Sequence, residues 1–200
     1  SPRAWAFAII GIDAYLTRFP GDSFARRVFA GLAERLYDAF VRNASSDWPW
    51  CEDVVTYDNG KLPHALLTAG RRLSDPRIGE TGLRTLEWLA SLQADDTGVV
   101  SLIGNQGWMT REGHRARFDQ QPVEAMALVE ACAEAYEYTG NLLWERRARR
   151  FFGWFLGNND TQTVLYDAST GGCRDGLHPH GANLNEGAES TLAWLSSLLT

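Results

Sequence analysis

The sequence has few cysteines, and their spacing excludes two common kinds of small domain. Cys51, Cys132 and Cys173 lie far apart in the 200 residues, and no Cys-x-x-Cys pair is present. This spacing supports neither a disulfide framework nor a zinc ribbon. Cys132 lies in an apolar segment and is expected to be a small core residue. We therefore expect a reducing, cytoplasmic location.

Positive charge and long apolar runs are also scarce. The formal net charge is −6, and residues 146–150 form the one basic run. Proteins that bind nucleic acid need clustered lysine and arginine to neutralise phosphates, so no nucleic-acid partner is expected. The basic run lies on an amphipathic helix and is interpreted as its solvated face. No apolar run approaches the roughly 18 residues of a membrane span. Because the sequence starts at Ser1 without a methionine, we expect a processed or excised piece of a longer protein.

The common fingerprints of nucleotide and acyl-transfer chemistry are missing. There is no Walker motif, no dinucleotide-binding motif and no Gly-x-Ser-x-Gly. The glycine-flanked loop 104–107 is not followed by a predicted helix, so it lacks the N–H groups that would bind an anion. No cofactor is predicted.

Helical periodicity is abundant. It predicts seven helices and no alternation of strands with helices, which favours an all-α fold in a single domain over residues 1–200. Only residues 99–103 and 163–167 are candidates for extended structure. The predicted helices cover about 5–18, 22–41, 63–72, 75–93, 122–139, 141–157 and 186–199.

Three polar junctions share one plan, in which a loop rich in carboxylates and amides leads into a helix. They are residues 57–63, 118–124 and 173–191. The helices that follow them start at intervals of roughly 60 residues, with tight turns elsewhere. This arrangement predicts α-hairpins stacked side by side, with the polar loops on one face. We expect that face to be the working face.

The junction motifs resemble those of (α/α) toroid, six-hairpin-glycosidase-like domains, which occur alone or fused behind bacterial glycosyltransferases. The resemblance covers most of the chain. It is carried by residues 48–50 (WPW), 57–63 (YDNGKLP), 118–125 (FDQQPVEA), 154–160 (WFLGNND) and 185–193 (NEGAESTLA). A closed toroid of this family has twelve helices, so the resemblance implies that the chain is the C-terminal part of a larger (α/α)6 domain.

The resemblance implies a carbohydrate-active domain, either glycoside-hydrolase-like or assisting a glycosyltransferase. The implied substrate is a glycan or a compound derived from a nucleotide sugar, and the implied partner is an N-terminal glycosyltransferase domain. Two alternatives stay open. One is a non-catalytic glycan-binding or scaffolding module, and the other is a sugar epimerase, which needs a pair of histidines. The candidate histidines are His64, His114, His178 and His180.

Glycoside hydrolysis needs two carboxylates on either side of the scissile bond. We select Asp119, which lies outside its helix, and Glu189, which is predicted to lie a turn inside helix 186–199, beyond the reach of a cap. Asp58 and Glu124 are the further candidates. Glu124 in the first turn of its helix is equally explained as a cap of that helix. Glu186 is expected to cap its own helix.

Substrate-binding groups are expected beside these carboxylates. An exposed tryptophan offers a flat apolar face to a sugar ring, although plugging the helical core explains the tryptophans equally well. Asp175, His178 and His180, with Cys173 nearby, supply the residue types of a metal site. Pro179 between the histidines and the lack of a fourth ligand at a standard spacing argue against a metal. The predicted substrate-binding residues are Trp50, Trp108, Gln120, Asp175, His178 and Asn185.

Overall fold

The computed structural model describes residues 1–94 and 97–200 and confirms the all-α fold class. Asp95 and Asp96, which belong to the predicted loop 94–117, lie outside the described residues. The described chain contains seven α-helices: α1 Pro2–Arg18, α2 Ser23–Asn43, α3 Lys61–Leu73, α4 Pro76–Gln93, α5 Pro122–Thr139, α6 Leu142–Phe152 and α7 Ala188–Leu199. None of these helices is long and apolar enough to cross a membrane.

A 3-10 helix at Gly153–Phe155 follows α6, and two short antiparallel ribbons are the other regular elements of the described residues. β1 (Val54–Val55) pairs with β2 (Met109–Thr110), and β3 (Leu177–His178) pairs with β4 (Gly181–Ala182). The candidate extended segments 99–103 and 163–167 contribute only isolated bridges, for example at Val100. Both ribbons lie in the loops that precede odd-numbered helices, so they shape the junctions and leave the helical core unchanged.

Local signals set most helix boundaries. Asp22 caps α2 by accepting the N–H groups of Phe24 and Ala25 at 2.9 Å. Asp75 caps α4, whose first residue is Pro76, and Asn141 caps α6. A short polar side chain at the N-cap satisfies N–H groups that have no partner within the helix. These three boundaries confirm the sequence predictions.

The helices pack as hairpins whose first members contact one another. Each of α1, α3 and α5 packs on the helix that follows it, and α1, α3, α5 and α7 make contact in that order. Gly60 permits α3 and α5 to approach each other closely, because a Cβ atom there would lie 2.3 Å from the carbonyl oxygen of Ala127. The starts of the odd-numbered helices therefore meet at one edge, which we call the junction edge.

The core lies between the two sets of helices, and α3 and α5 are buried on most sides. Cys132 is fully buried, as predicted. Trp50 is also fully buried, and its indole N–H donates to the carbonyl oxygen of Val54 at 3.3 Å. Its ring is therefore part of the core, which agrees with the core interpretation of this tryptophan and leaves no ring face open to a sugar.

Candidate functional site

The three polar junctions come together at the junction edge, and long-range hydrogen bonds hold them there. The Asn59 side chain donates to Glu124 at 2.9 Å, which joins the α3 junction to α5. Gln120 and Leu177 exchange two backbone hydrogen bonds of 3.1 and 2.8 Å, which join the α5 junction to the loop before α7. The edge is thus one surface built from segments more than 100 residues apart.

Glu124 is buried at the centre of this edge and belongs to the α3 junction. Its carboxylate accepts the backbone N–H groups of Asp58 and Asn59 as well as the Asn59 amide. The prediction that Glu124 caps its own helix is wrong, because its oxygens face the start of α3. Burial raises the pKa of Glu124 to about 7, although the hydrogen bonds from Asn59 oppose that rise.

Asp58 is 5 % exposed, and one of its carboxylate oxygens has no hydrogen-bond partner among the described residues. Burial raises the pKa of Asp58 to about 6. The cations of Lys61 and Arg3 oppose the rise. The carboxylates of Glu130 and Glu189 add to it, so Glu189 lies close enough to act on Asp58 electrostatically.

Two buried cations, Arg3 and Lys61, hold the segment around Asp58 in place. Arg3 at the start of α1 donates to the Tyr57 carbonyl oxygen at 2.8 Å and to the Asn59 side chain at 3.0 Å. Lys61 forms an ion pair with Glu130. Arg3 could not be selected from the sequence, because an arginine in a first helical turn carries no site signal. Lys61 and Tyr57 lie in the junction motif and could have been selected from it.

Glu189 is exposed and lies in the first turn of α7, which begins at Ala188. The helix was expected to begin at residue 186, so the argument that Glu189 is too far along the helix to interact with its N-terminus is wrong. A carboxylate in the first turn is favoured by the helix dipole. What links Glu189 to Asp58 is electrostatic, because its charge contributes, after that of Glu130, to the raised pKa of Asp58.

Asp175 takes the capping role that was expected of Glu186. It accepts the N–H of Gly187 at 2.6 Å and the side-chain amide of Asn185. Glu186 instead pairs with Arg174 at 2.9 Å. The α7 cap lies 12 residues before Gly187 in the sequence, so local spacing cannot reveal it. Asp175 and Asn185 are therefore engaged in holding the start of α7.

Tyr57, which precedes Asp58 in the sequence, forms an aromatic pair with Trp108. Tyr57 is half exposed, and the centroid of its ring lies 6.5 Å from that of Trp108. Trp108 has a positive φ of 58°, at the end of the loop whose Asn105 N–H donates to the Asp119 carbonyl oxygen at 2.9 Å. Partly exposed aromatic rings beside polar groups can contact the C–H face of a sugar.

Asp119 and His178 form a second polar pair on the same edge. His178 Nδ1 lies 3.6 Å from Asp119 Oδ1. Burial raises the pKa of Asp119, and His178 opposes that rise. Gln120, which follows Asp119 and is hydrogen-bonded to Leu177, is fully buried and accepts the Trp154 indole N–H at 2.8 Å. It therefore holds the backbone beside Asp119 and His178 in place.

The remaining histidines lie elsewhere. His64 is mostly buried in α3, and burial lowers its pKa to about 3. His114 is exposed in the turn after β2, and His180 is exposed in the turn between β3 and β4. Within residues 1–94 and 97–200, no three His, Cys, Asp or Glu side chains are arranged to hold a metal ion.

A separate groove of about 500 Å³ lies between α5, α6 and α7. The groove lies at the C-terminal ends of α5 and α7, and residues such as Tyr136 and Leu198 line it. The three junctions meet at the N-terminal ends of the same helices. The groove contains Glu137 and Glu145, but Glu137 is exposed and Glu145 pairs with Arg149. The junction edge, with its buried carboxylates, is therefore the better candidate site on chemical grounds.

Comparison with known proteins adds no identification. No family model matches the sequence, and no curated protein matches it.

Proposed function

We propose that the junction edge binds a carbohydrate and acts on it with Asp58 as the proton donor and Glu189 as the second carboxylate. The observation that carries the proposal is the unequal setting of two carboxylates that interact electrostatically. Asp58 is buried with an unpartnered oxygen and a pKa raised to about 6, whereas Glu189 is exposed. Environments that separate two carboxylates in this way suit one as acid and the other as base or nucleophile.

The proposal also gives the neighbouring groups a use. Tyr57 and Trp108 supply ring faces for a sugar, and the buried cations hold the segment around Asp58 in place. Asp119, which the sequence favoured as the partner of Glu189, has no interaction with Glu189 in the described chain and contacts His178 instead. The pair Asp58 and Glu189 therefore replaces the pair Asp119 and Glu189 in the proposal.

The resemblance to toroid domains supports the substrate class. It is consistent with the stacked hairpins and with the location of the polar loops at one edge. A toroid that continues beyond this chain, and an accompanying glycosyltransferase domain, remain part of the proposal.

The test is turnover and binding of a saccharide panel by the wild type, Asp58→Asn and Glu189→Gln. Glu137→Gln, an exposed glutamate on α5, is the control. General acid catalysis contributes about 100-fold or more, so we expect each site variant to lose at least that factor in kcat while saccharide binding persists. Wild-type rates in both site variants would contradict the acid–base pair. Saccharide binding without wild-type turnover would favour the non-catalytic module, and no binding at all would overturn the carbohydrate assignment.

A further inference from the structure

The pair formed by Asp119 and His178 has the geometry of a histidine oriented by a carboxylate. The carboxylate oxygen that faces Nδ1 at 3.6 Å is buried, and it accepts no hydrogen bond from any described residue. His178 itself is 39 % exposed at its side chain. Hydrogen bonds between catalytic groups are often long in a ligand-free protein and shorten when substrate binds.

Rigid elements hold both members of the pair. His178 lies in β3, which pairs with β4, and its neighbour Leu177 is hydrogen-bonded to Gln120 in both directions. Gln120 directly follows Asp119, and its side chain is fixed by Trp154. The backbone segments that carry Asp119 and His178 are therefore hydrogen-bonded to each other, and this pairing sets the distance between the two side chains.

Gly176 allows the Asp119 carboxylate to lie close to the segment that carries His178. A Cβ atom at this position would lie 2.5 Å from Asp119 Oδ1, which no real Cβ contact allows. The carboxylate is thus packed directly against the backbone of the segment that carries His178. Little room remains for Asp119 to turn away from the ring.

We propose that Asp119 fixes His178 as the Nδ1–H tautomer, so that Nε2 offers its lone pair to a saccharide hydroxyl as a proton acceptor. Asp119 is then a positioning residue and His178 a catalytic residue, a division of roles known from carboxylate–histidine pairs. In this step the hydroxyl O–H bond breaks, the proton joins Nε2, and the electron pair stays on the hydroxyl oxygen. The identity of the substrate rests on the function proposed above, but the tautomer does not.

The first test needs no substrate. Nitrogen-15 NMR of the neutral imidazole distinguishes the two tautomers, and we expect a protonated Nδ1 and an unprotonated Nε2 at His178. Asp119→Asn should shift the population towards the Nε2–H form, because the amide can present an N–H to Nδ1. Asp175→Asn changes a carboxylate on the same loop that caps α7, and it should leave the His178 tautomer unchanged. A wild-type His178 in the Nε2–H form would overturn the proposal even if Asp119→Asn failed to fold.

The second test uses any saccharide that the wild type turns over. His178→Gln should lower kcat by about 100-fold with a smaller change in KM, whereas His180→Gln, in the turn of the same ribbon, should retain the wild-type rate. An unchanged kcat in His178→Gln would overturn the catalytic role. A wild type that turns over no saccharide would overturn that role together with the proposed function. A wrong tautomer alongside intact dependence on Asp58 would overturn only the Asp119–His178 pair.

Discussion

The junction before α3, with Asp58 and the Glu124 side chain that reaches it from α5, and the segment before α7, with Asp175 and Glu186, use their carboxylates differently. Before α7, Asp175 accepts the N–H of Gly187, and the Glu186 oxygen that has no hydrogen bond lies 2.9 Å from the guanidinium of Arg174. At the α3 junction, Glu124 is fully hydrogen-bonded, but Asp58 is almost completely buried and keeps an unpartnered oxygen. The density of acidic residues therefore does not identify a site. The carboxylate whose burial no partner explains is the better indicator.

This difference has an energetic side. Burying a carboxylate without full pairing destabilises the folded state, and such costs are commonly found at functional sites. Asp58 also adopts a left-handed backbone conformation, with a φ of 51°, which aspartate and asparagine tolerate better than most residues. Asp58 thus combines near-complete burial, an oxygen without a hydrogen bond and a left-handed backbone, whereas the oxygen of Glu186 that lacks a hydrogen bond is paired with Arg174.

The largest effect is expected from Glu124→Ala, which removes the partner of three buried donors at the α3 junction. Buried donors without partners cost about 1–3 kcal/mol each, and part of that cost is offset by removing a buried acid, so we expect a loss of about 3 kcal/mol. Asp175→Ala removes a cap at a more exposed position and should cost about 1 kcal/mol. Urea unfolding at pH 7 measures both. Equal losses in the two variants would remove the energetic distinction between the regions.

An effect of opposite sign and similar size is expected from Asp58→Asn. The folded-state pKa of about 6 exceeds the ordinary value of 3.8, so the folded state binds the proton more tightly. The resulting stability is fully present below pH 3.8 and is lost as the pH rises through 6. At pH 8 the wild type bears the whole cost, roughly 3 kcal/mol, which asparagine avoids.

Urea unfolding at pH 8 and pH 4 checks this prediction. Asp58→Asn should be more stable than the wild type at pH 8 by up to about 3 kcal/mol, with most of the difference gone at pH 4. Asp53→Asn, at an exposed position in the preceding loop, should change stability by no more than about 0.5 kcal/mol at either pH. A destabilised Asp58→Asn at pH 8 would show that the ionised carboxylate has a structural partner.

The sequence predicted those parts of the fold that depend on neighbouring residues. Asp22, Asp75 and Asn141 act on N–H groups two or three positions away, so their spacing is enough to place a helix start. The start of α7 was predicted two residues too early, because its cap, Asp175, comes from a preceding loop. The meeting of the polar loops at one edge was predicted from their common plan.

The burial and the hydrogen-bond partners of the site residues were harder to predict, since both depend on contacts between distant segments. Glu124 contacts Asn59, which lies 65 residues earlier, and this contact makes Glu124 a partner of the α3 junction. The burial of Asp58 depends on the same packing, and so does the loss of Trp50 from the exposed surface. Sequence spacing does not report burial at this range.

The most direct test of the account is the titration of the Asp58 side-chain carboxyl by carbon-13 NMR, in the wild type and in Glu189→Gln. We predict an apparent pKa of about 6 in the wild type. We predict a lower value in Glu189→Gln, because the charge of Glu189 contributes to the rise. A wild-type value near the ordinary 3.8, or one that does not change in Glu189→Gln, would contradict the claim that these two carboxylates form one site.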